Sequence, residues 1–428
     1  MQENRVVVTG LGVIAPNGLG VNAFTQSLQK GQSGIRFIEE LAEKKFACQI
    51  GGIPPLDETY QDLYLTTFQK NLLVSSSVLY GVLASMEAWK DAGLEVIEKE
   101  NTDPDWETGC IFGTGLVDGE IIKRTMTMVD NLQVRRLGST SVTQGMTSAV
   151  SAFLGGILGL GNQVTTNASA CSTGNEAIMM AYYHIKNGLA SRMIAGSSES
   201  PGPYIWGGFD SMRLLNRSSN DQPETGSAPM SAHAKGFVPG SGAGALVLES
   251  LESAQARGAK IYTEILGGFI NSGGQRGGGS MTAPNLEGIR RCIQSAIKIS
   301  NISPGDIDLI NGHLTSTMAD PFEIKSWSEA LGRKNDNFPY IQATKSLIGH
   351  CLSAAGSIES VATVLQLHHG FIHPSLNLDE IHPEILSIVS PERIPQQKID
   401  PASISIAAKS SFGFGDVNCC TIFRRWEP

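Results

Sequence analysis

Short β-branched apolar runs alternate with segments of helical period along the whole chain, and this rhythm restricts the fold more than any other feature. Such alternation calls for strands covered by helices on both faces of a mainly parallel sheet. Residues 5–9 read as a β-branched strand, and 74–92 as an amphipathic helix closed by Gly93. A strand over 109–113 precedes a long helix of small residues over 143–160. A strand over 164–167 then runs into a helix over 171–186, with Gly188 suited to the left-handed position after a helix. Residues 192–195 and 244–248 read as buried strands.

A second series repeats the pattern: strand 260–266, helix 285–299, strand 307–312, helix 354–368, and closing strands at 403–409 and 419–424. Two similar series imply an internal duplication with its boundary near 250–258, dividing the chain into halves 1–254 and 255–428. No long linker rich in Pro or Ser lies between them, so the halves are expected to pack as one body.

Composition narrows the functional class. A net charge of −9 argues against nonspecific binding to nucleic acid, and an acidic partner would need a local basic patch. The seven cysteines are scattered and show neither C-x-x-C nor zinc spacing, which predicts a reduced, cytoplasmic protein without a metal site. The first residues carry no leader pattern, and the most apolar window, 149–161, is too short and glycine-rich to enter a membrane.

Gly10-Leu11-Gly12-Val13-Ile14-Ala15 follows a strand and matches the G-x-G-x-x-A of dinucleotide sites. Its context fails, because Pro16-Asn17-Gly18 breaks the helix that should follow, and no acidic residue ends a second strand about 20 residues on. The segment reads as a structural glycine turn, and no nucleotide cofactor is expected.

The strongest local signal is Thr166-Asn167-Ala168-Ser169-Ala170-Cys171-Ser172-Thr173-Gly174. A thiol where a helix begins meets the positive end of the macrodipole and free N–H groups, which favour thiolate and lower its pKa. Small neighbours leave room for a substrate; the same run also fits an inert cysteine in a packing seam. His313 ends an apolar strand, at the carboxyl edge where α/β sheets bind ligands. His350 and Lys345 stand before a second small-residue helix. Taken singly, each histidine more often fits a packed or surface role.

Together these residues resemble the β-ketoacyl-acyl carrier protein synthases of the thiolase superfamily, especially the type II elongating group. The opening Arg5-Val6-Val7-Val8-Thr9-Gly10-Leu11-Gly12 resembles that family's first strand, and Ala170-Cys171-Ser172-Thr173-Gly174 its nucleophile motif. His313-Leu314-Thr315-Ser316-Thr317 resembles the first histidine motif, and Thr344-Lys345-Ser346 through Gly349-His350 the lysine and second-histidine motif. Gly413-Phe414-Gly415 with Asn418 resembles the C-terminal glycine–phenylalanine loop.

The resemblance implies an α/β, thiolase-like, duplicated five-layer αβαβα fold and a Cys-His-His site that needs no metal or organic cofactor. It implies a homodimer, or a heterodimer with a chain-length factor, served by acyl and malonyl thioesters of an acyl carrier protein. Cys171 would take the acyl chain, with the N–H groups of Cys171 and Phe414 as oxyanion hole. His313 and His350 would hold the malonyl carbonyl as carbon dioxide leaves. Lys345, fixed by Glu323, would position the histidines, with Asp320 as the motif's other acid. Thr315, Thr317, Phe237 and the gate residue Phe414 would line the substrate pocket, although phenylalanines are as readily core. Lys70, Arg135 and Arg136, with Lys123 and Arg124, would dock the carrier protein; they read equally as scattered surface charges.

Several positions depart from the pattern. Leu314 stands for a glycine, Met318 for a proline and Asp416 for a glycine, and Ser241 for a common acidic residue. The stretch 228–236 lacks the usual acidic and arginine residues. These changes point to a specialised member that extends polyene or polyketide-like chains. A thiolase would need a second cysteine in the C-terminal glycine loop, and a chain-initiating synthase an asparagine for His350. A noncatalytic chain-length subunit would lack the nucleophile.

Overall fold

The computed structural model describes residues 4–96 and 103–427; Met1 to Glu3, read above for a leader pattern, lie outside it. Among the described residues, ten strands form the continuous path of the main sheet. Those of the first half are β1 (Val6–Ala15), β2 (Thr108–Thr114), β3 (Val164–Thr165), β4 (Arg192–Glu199) and β5 (Gly242–Ser250). Those of the second are β6 (Thr263–Ser272), β7 (Leu309–Asn311), β8 (Tyr340–Gln342), β9 (Ile406–Gly413) and β10 (Val417–Arg425). The first five lie in the order β1-β5-β4-β2-β3 and the second in the order β6-β10-β9-β7-β8, so each strand has a counterpart at the same place in the other half. Directions match as well: the first two pairings of each half are antiparallel and the last two parallel. The expected duplication is present, but the mainly parallel sheet is not. In the second half the reason is visible, since β9 and β10 form a hairpin, and a tight reversal makes neighbours antiparallel.

The halves join where β1 and β6 pair over Val6 to Val8 alone. Between that point and Ile14 and Ala15, which pair with the short strand Gly18–Leu19, β1 has a free edge, and two carboxylates of helix α1 (Ser76–Asp91) satisfy it. Asp91 accepts from the Leu11 N–H at 2.9 Å and Glu87 from the Val13 N–H at 2.9 Å. The Gly10-to-Ala15 segment is therefore strand, not the expected turn. Its glycines let α1 approach: a Cβ at Gly12 would stand 1.8 Å from the Ala84 carbonyl oxygen, and one at Gly10 2.1 Å from that of Ala88.

The expected helix over 143–160 is two pieces, Ser141–Gly145 and α2 (Ala149–Leu158), with extended backbone at Met146 between them. The break places Gln144, whose side-chain oxygen accepts from the Val74 and Ser75 N–H groups and so caps the chain entering α1. Helices α3 (Thr173–Lys186) and α7 (Ala355–His369) pack against each other between the two half-sheets. Helices α1 and α2 cover the outer face of the first half, and α5 (Leu286–Ile299) and α6 (Asp320–Leu331) that of the second, with α4 (Pro203–Ser211) beside the site. The layers are thus αβαβα, the five-layer thiolase arrangement. Among the described residues no helix is long and apolar enough to cross a membrane.

The central helices are small-residue helices because they touch. A Cβ on Gly174 would lie 2.4 Å from the Ser357 nitrogen, and one on Gly356 2.4 Å from that of Asn175. Each helix is entered through a 3-10 turn, Ala170–Ser172 and Leu352–Ala354, with left-handed backbone at Ala170 (φ 47°) and Leu352 (φ 49°). The duplication therefore builds two similar elbows side by side. Cys171 sits on the first and Ser353 on the second.

Candidate active site

The elbow at Ala170 holds Cys171 one turn before α3 proper. Left-handed backbone at a residue with a Cβ is uncommon and strained, and such strain collects where a side chain must be presented in one direction. Opposite it, His350 follows the short helix Lys345–Ile348 and is clamped by its own backbone: its N–H donates to the Val238 carbonyl at 2.7 Å, and its carbonyl accepts from Gly240 at 2.8 Å. His313 follows β7 by two residues, at the carboxyl edge of a parallel strand. The three side chains meet. His350 Nε2 lies 3.1 Å from Cys171 Sγ, and the two imidazoles stand edge to face with centroids 5.4 Å apart.

The tautomers follow from the outer nitrogens. The Leu352 N–H donates to His350 Nδ1 at 3.3 Å, which leaves the ring hydrogen on Nε2, facing the cavity. Lys345 Nζ stands 3.5 Å from His313 Nδ1 and directs that ring the same way. Both imidazoles are held well below their ordinary pKa, by burial first and by the Lys345 charge next, so both are neutral N–H donors.

Two expectations are corrected here. Lys345 does not pair with Glu323: its ammonium lies 2.6 Å from Glu359 Oε1, on α7. Glu323 instead accepts from the backbone N–H groups of His313 and Leu314, each at 2.8 Å, and from Ser410 Oγ at 3.0 Å. It orients the histidine through the main chain, which a carboxylate at the start of α6 reaches more directly than it reaches Lys345. The Cys171 thiol is also not depressed. Burial pushes it up to about 11, against the Lys345 charge and the Phe414 N–H, which favour the thiolate.

Asp320 accepts from the N–H groups of Thr315, Ser316 and Met230 and so shapes the loop after His313, where the Thr315 and Thr317 hydroxyls lie 2.9 Å apart. These threonines line a cavity of about 460 Å³ that also reaches Cys171, both histidines, Phe237 and Phe414. The Phe237 ring meets His350 edge-on at 5.2 Å, and Phe209 bridges Phe237 and Phe414 at 5.6 and 6.1 Å. Gly413 brings the C-terminal loop onto the elbow; a Cβ there would lie 3.1 Å from the Cys171 nitrogen. This nucleophile, backed by two neutral donors in an apolar pocket, suits acyl transfer through a thioester and stabilisation of an enolate.

The sequence matches the family described as Beta-ketoacyl synthase, N-terminal domain, over residues 3–254 and the corresponding C-terminal domain over 262–379. The chain belongs to the β-ketoacyl synthase family. As a ketosynthase it is an acyltransferase, a condensing enzyme of the 3-oxoacyl synthase kind. It is 34% identical to the chloroplastic 3-oxoacyl-[acyl-carrier-protein] synthase I of Arabidopsis thaliana, over 100% of this chain and 88% of that one. To 3-oxoacyl-[acyl-carrier-protein] synthase 1 of Escherichia coli K12 it is 33% identical, over 98% and 99%. Among solved structures, it superposes on a β-ketoacyl synthase from Burkholderia phymatum with a TM-score of 0.87 at 28% identity, over 99% and 100% of the two chains. The ishigamide ketosynthase/chain length factor gives 0.87 at 26%, over 99% and 100%.

The departures of this ketosynthase find places in the fold. Leu314 is buried in the core of the second half with Met230 and Ile324 while one side lines the cavity. Met318 stands exposed on the rim. Asp416, with left-handed backbone (φ 62°), accepts from the Gln275 and Asn285 N–H groups and ties the glycine-rich 273–279 segment to the gate loop. The basic residues expected to dock a carrier lie away from the cavity lining: Lys70 pairs with Asp62 at 2.5 Å, Lys123 lies over the Tyr204 ring, and Arg135 and Arg136 form an exposed turn, Val134–Arg136. Arg213 and Lys235 line the cavity instead, and neither was singled out from the sequence. Glu359 was also missed, although the one acid of a helix built of small and apolar residues was a readable signal.

Proposed function

We propose that this ketosynthase joins an acyl group held on Cys171 to a malonyl unit delivered by an acyl carrier protein, releasing a 3-ketoacyl thioester. The observation that carries the reading is the approach of His350 Nε2 to Cys171 Sγ at 3.1 Å, with the Nδ1 of each histidine engaged from behind. In the first stage Sγ bonds to the acyl carbonyl carbon and the carrier thiol leaves with the proton. The N–H groups of Cys171 and Phe414 hold the oxyanion, a contribution of about 3 kcal/mol per donor in comparable sites. In the second stage the malonyl thioester oxygen lies between His313 and His350. The bond to the carboxylate breaks, carbon dioxide leaves, and the electron pair forms an enolate. That carbon then bonds to the acyl carbon and Cys171 departs as thiolate.

Lys345 and Glu323 position the histidines, Thr315 and Thr317 contact the thioester arm, and Phe414 gates the acyl side beside Phe237. Lys70, Arg135 and Arg136 belong to the carrier-facing surface, with Arg213 and Lys235 at the cavity. The enzyme acts in the cytoplasm as a homodimer or with a chain-length factor, the halves 1–254 and 255–428 serving as its two thiolase-like domains. Specialised polyene or polyketide elongation is favoured over bulk fatty-acid synthesis by Leu314, Met318 and Asp416. A further support is the likeness, at 27% identity and a TM-score of 0.85, to a structure described as a type II PKS acyl-carrier protein in complex with its ketosynthase. Presence of the nucleophile and both histidines argues against a noncatalytic chain-length subunit.

Intact-protein mass spectrometry with a panel of acyl-carrier proteins, beside Cys171→Ala, tests this. Acylation of the wild type alone, cleared by malonyl-carrier protein with a 3-ketoacyl product, is the expected outcome. A folded protein that no donor acylates overturns the reading.

A further inference from the structure

Behind the histidines lies a second lysine that no motif accounts for. Lys409, on β9, is completely buried, and its ammonium lies 2.8 Å from Glu359 Oε2 while Lys345 takes Oε1 at 2.6 Å. The remaining Lys409 donors reach the Ser410 carbonyl and, at 3.3 Å, Ser411 Oγ. Its backbone carbonyl accepts from Asn175 Nδ2 on α3 at 3.2 Å, and it pairs in register with Asn311, two residues before His313. Lys409 thus touches the nucleophile helix, the histidine strand and the carboxylate that holds Lys345.

A buried ammonium without a counter-charge is strongly unfavourable, and here two ammoniums share one carboxylate. The charged and titratable groups around the histidines are Lys345 beside them, Lys409 from β9, Glu359 from α7, Glu323 and Asp320 from α6, Glu199 from β4, Cys171 itself, and Arg213 and Lys235 along the cavity. Burial pushes the Glu323 and Asp320 carboxyls above their ordinary range and Glu199 to about 8, and it pulls the Lys409 ammonium down against the Glu359 charge that holds it up. Two ammoniums thus stand on one carboxylate directly behind the imidazoles, with Lys345 reaching His313 Nδ1.

Building on the condensation proposed above, we propose that Lys409 is a positioning residue of that reaction. By holding Glu359 Oε2 it fixes the other oxygen on Lys345, and its charge keeps His313 and His350 as neutral donors and supports the enolate that forms against them. The first stage, acyl transfer to Cys171, uses the oxyanion hole and depends on Lys409 far less.

The test is Lys409→Met, similar in length and uncharged, with the two stages measured separately. Acylation of Cys171 is expected to stay within about threefold of wild type, while malonyl decarboxylation falls about 100-fold. The acid limb of the decarboxylation profile should move to higher pH, because loss of a nearby positive charge makes the imidazoles easier to protonate. Decarboxylation within threefold of wild type, with the acid limb in place, overturns the inference. If Lys409→Met does not fold, Lys409→Ala refolded with methylammonium serves: saturable recovery of decarboxylation by the amine supports the role, and a folded protein without recovery rejects it. A wild type that neither acylates nor decarboxylates condemns the underlying reaction; an active wild type matched by the variant condemns only the role of Lys409.

Discussion

His350 Nε2 faces Cys171 Sγ at 3.1 Å, and the same ring is held from behind by the Leu352 N–H at Nδ1. The second contact decides what the first can do, because a ring that accepts at Nδ1 keeps its hydrogen at Nε2. His350 is therefore a donor toward the cavity, not the base that takes the thiol proton. His350→Ala is expected to lower malonyl decarboxylation by about 10²–10³-fold, the range for losing one preorganised donor. Acylation of Cys171 should survive, and mass spectrometry of the half-reaction checks it. Loss of acylation to the same degree would make His350 a base.

Cys171 offers a second test, because two influences oppose each other there. The helix that follows and the Phe414 N–H favour thiolate, yet burial pushes the thiol up to about 11. Alkylation by iodoacetamide, followed by peptide mass, should then rise about tenfold per pH unit between 7 and 9.5, since the thiolate fraction below a pKa grows in that proportion. A plateau below pH 8 would show that the helix end outweighs burial.

The strands and the nucleophile were legible because they depend on local pattern: a β-branched run at Val6 to Val8, and a small-residue run around Cys171. What stayed hidden depends on contacts far apart in sequence. Gly10 and Gly12 looked like turn residues, since nothing nearby announces a helix lying across a strand. The Lys345 partner was placed at Glu323 because both belong to familiar motifs, whereas Glu359 becomes its neighbour only once α7 is threaded between the half-sheets. The sign of the Cys171 shift was missed for a related reason, as helix position can be read along the chain and burial cannot.

That correction separates two carboxylates by experiment. Glu359 is the shared counter-charge of two buried ammoniums, and Glu323 accepts mainly backbone N–H groups. Glu359→Gln leaves Lys345 and Lys409 uncompensated and should destabilise the protein by about 3–5 kcal/mol, the cost of breaking a buried pair. Glu323→Gln keeps a hydrogen-bonding oxygen for one N–H and should cost about 1–3 kcal/mol. Urea denaturation midpoints rank the two. A larger loss in the Glu323 variant would return Lys345 to its originally expected partner.

Gly12 gives the sharpest steric test. It sits in β1 beneath α1, where an added Cβ would stand 1.8 Å from the Ala84 carbonyl oxygen and 2.8 Å from the Ala88 nitrogen. Neither atom can move without shifting the helix, and α1 also carries Glu87 and Asp91, which satisfy the free edge of β1. Gly12→Ala should therefore separate helix from strand and expose those N–H groups together, a loss of more than about 3 kcal/mol. Gly305, around which a Cβ meets nothing within 4 Å, supplies the control, and Gly305→Ala should stay within about 0.5 kcal/mol. Thermal unfolding of both variants reads the difference. A Gly12→Ala protein as stable as the control would mean that α1 lies farther from β1 than this packing allows, and that the glycines of the opening motif serve some need other than close approach.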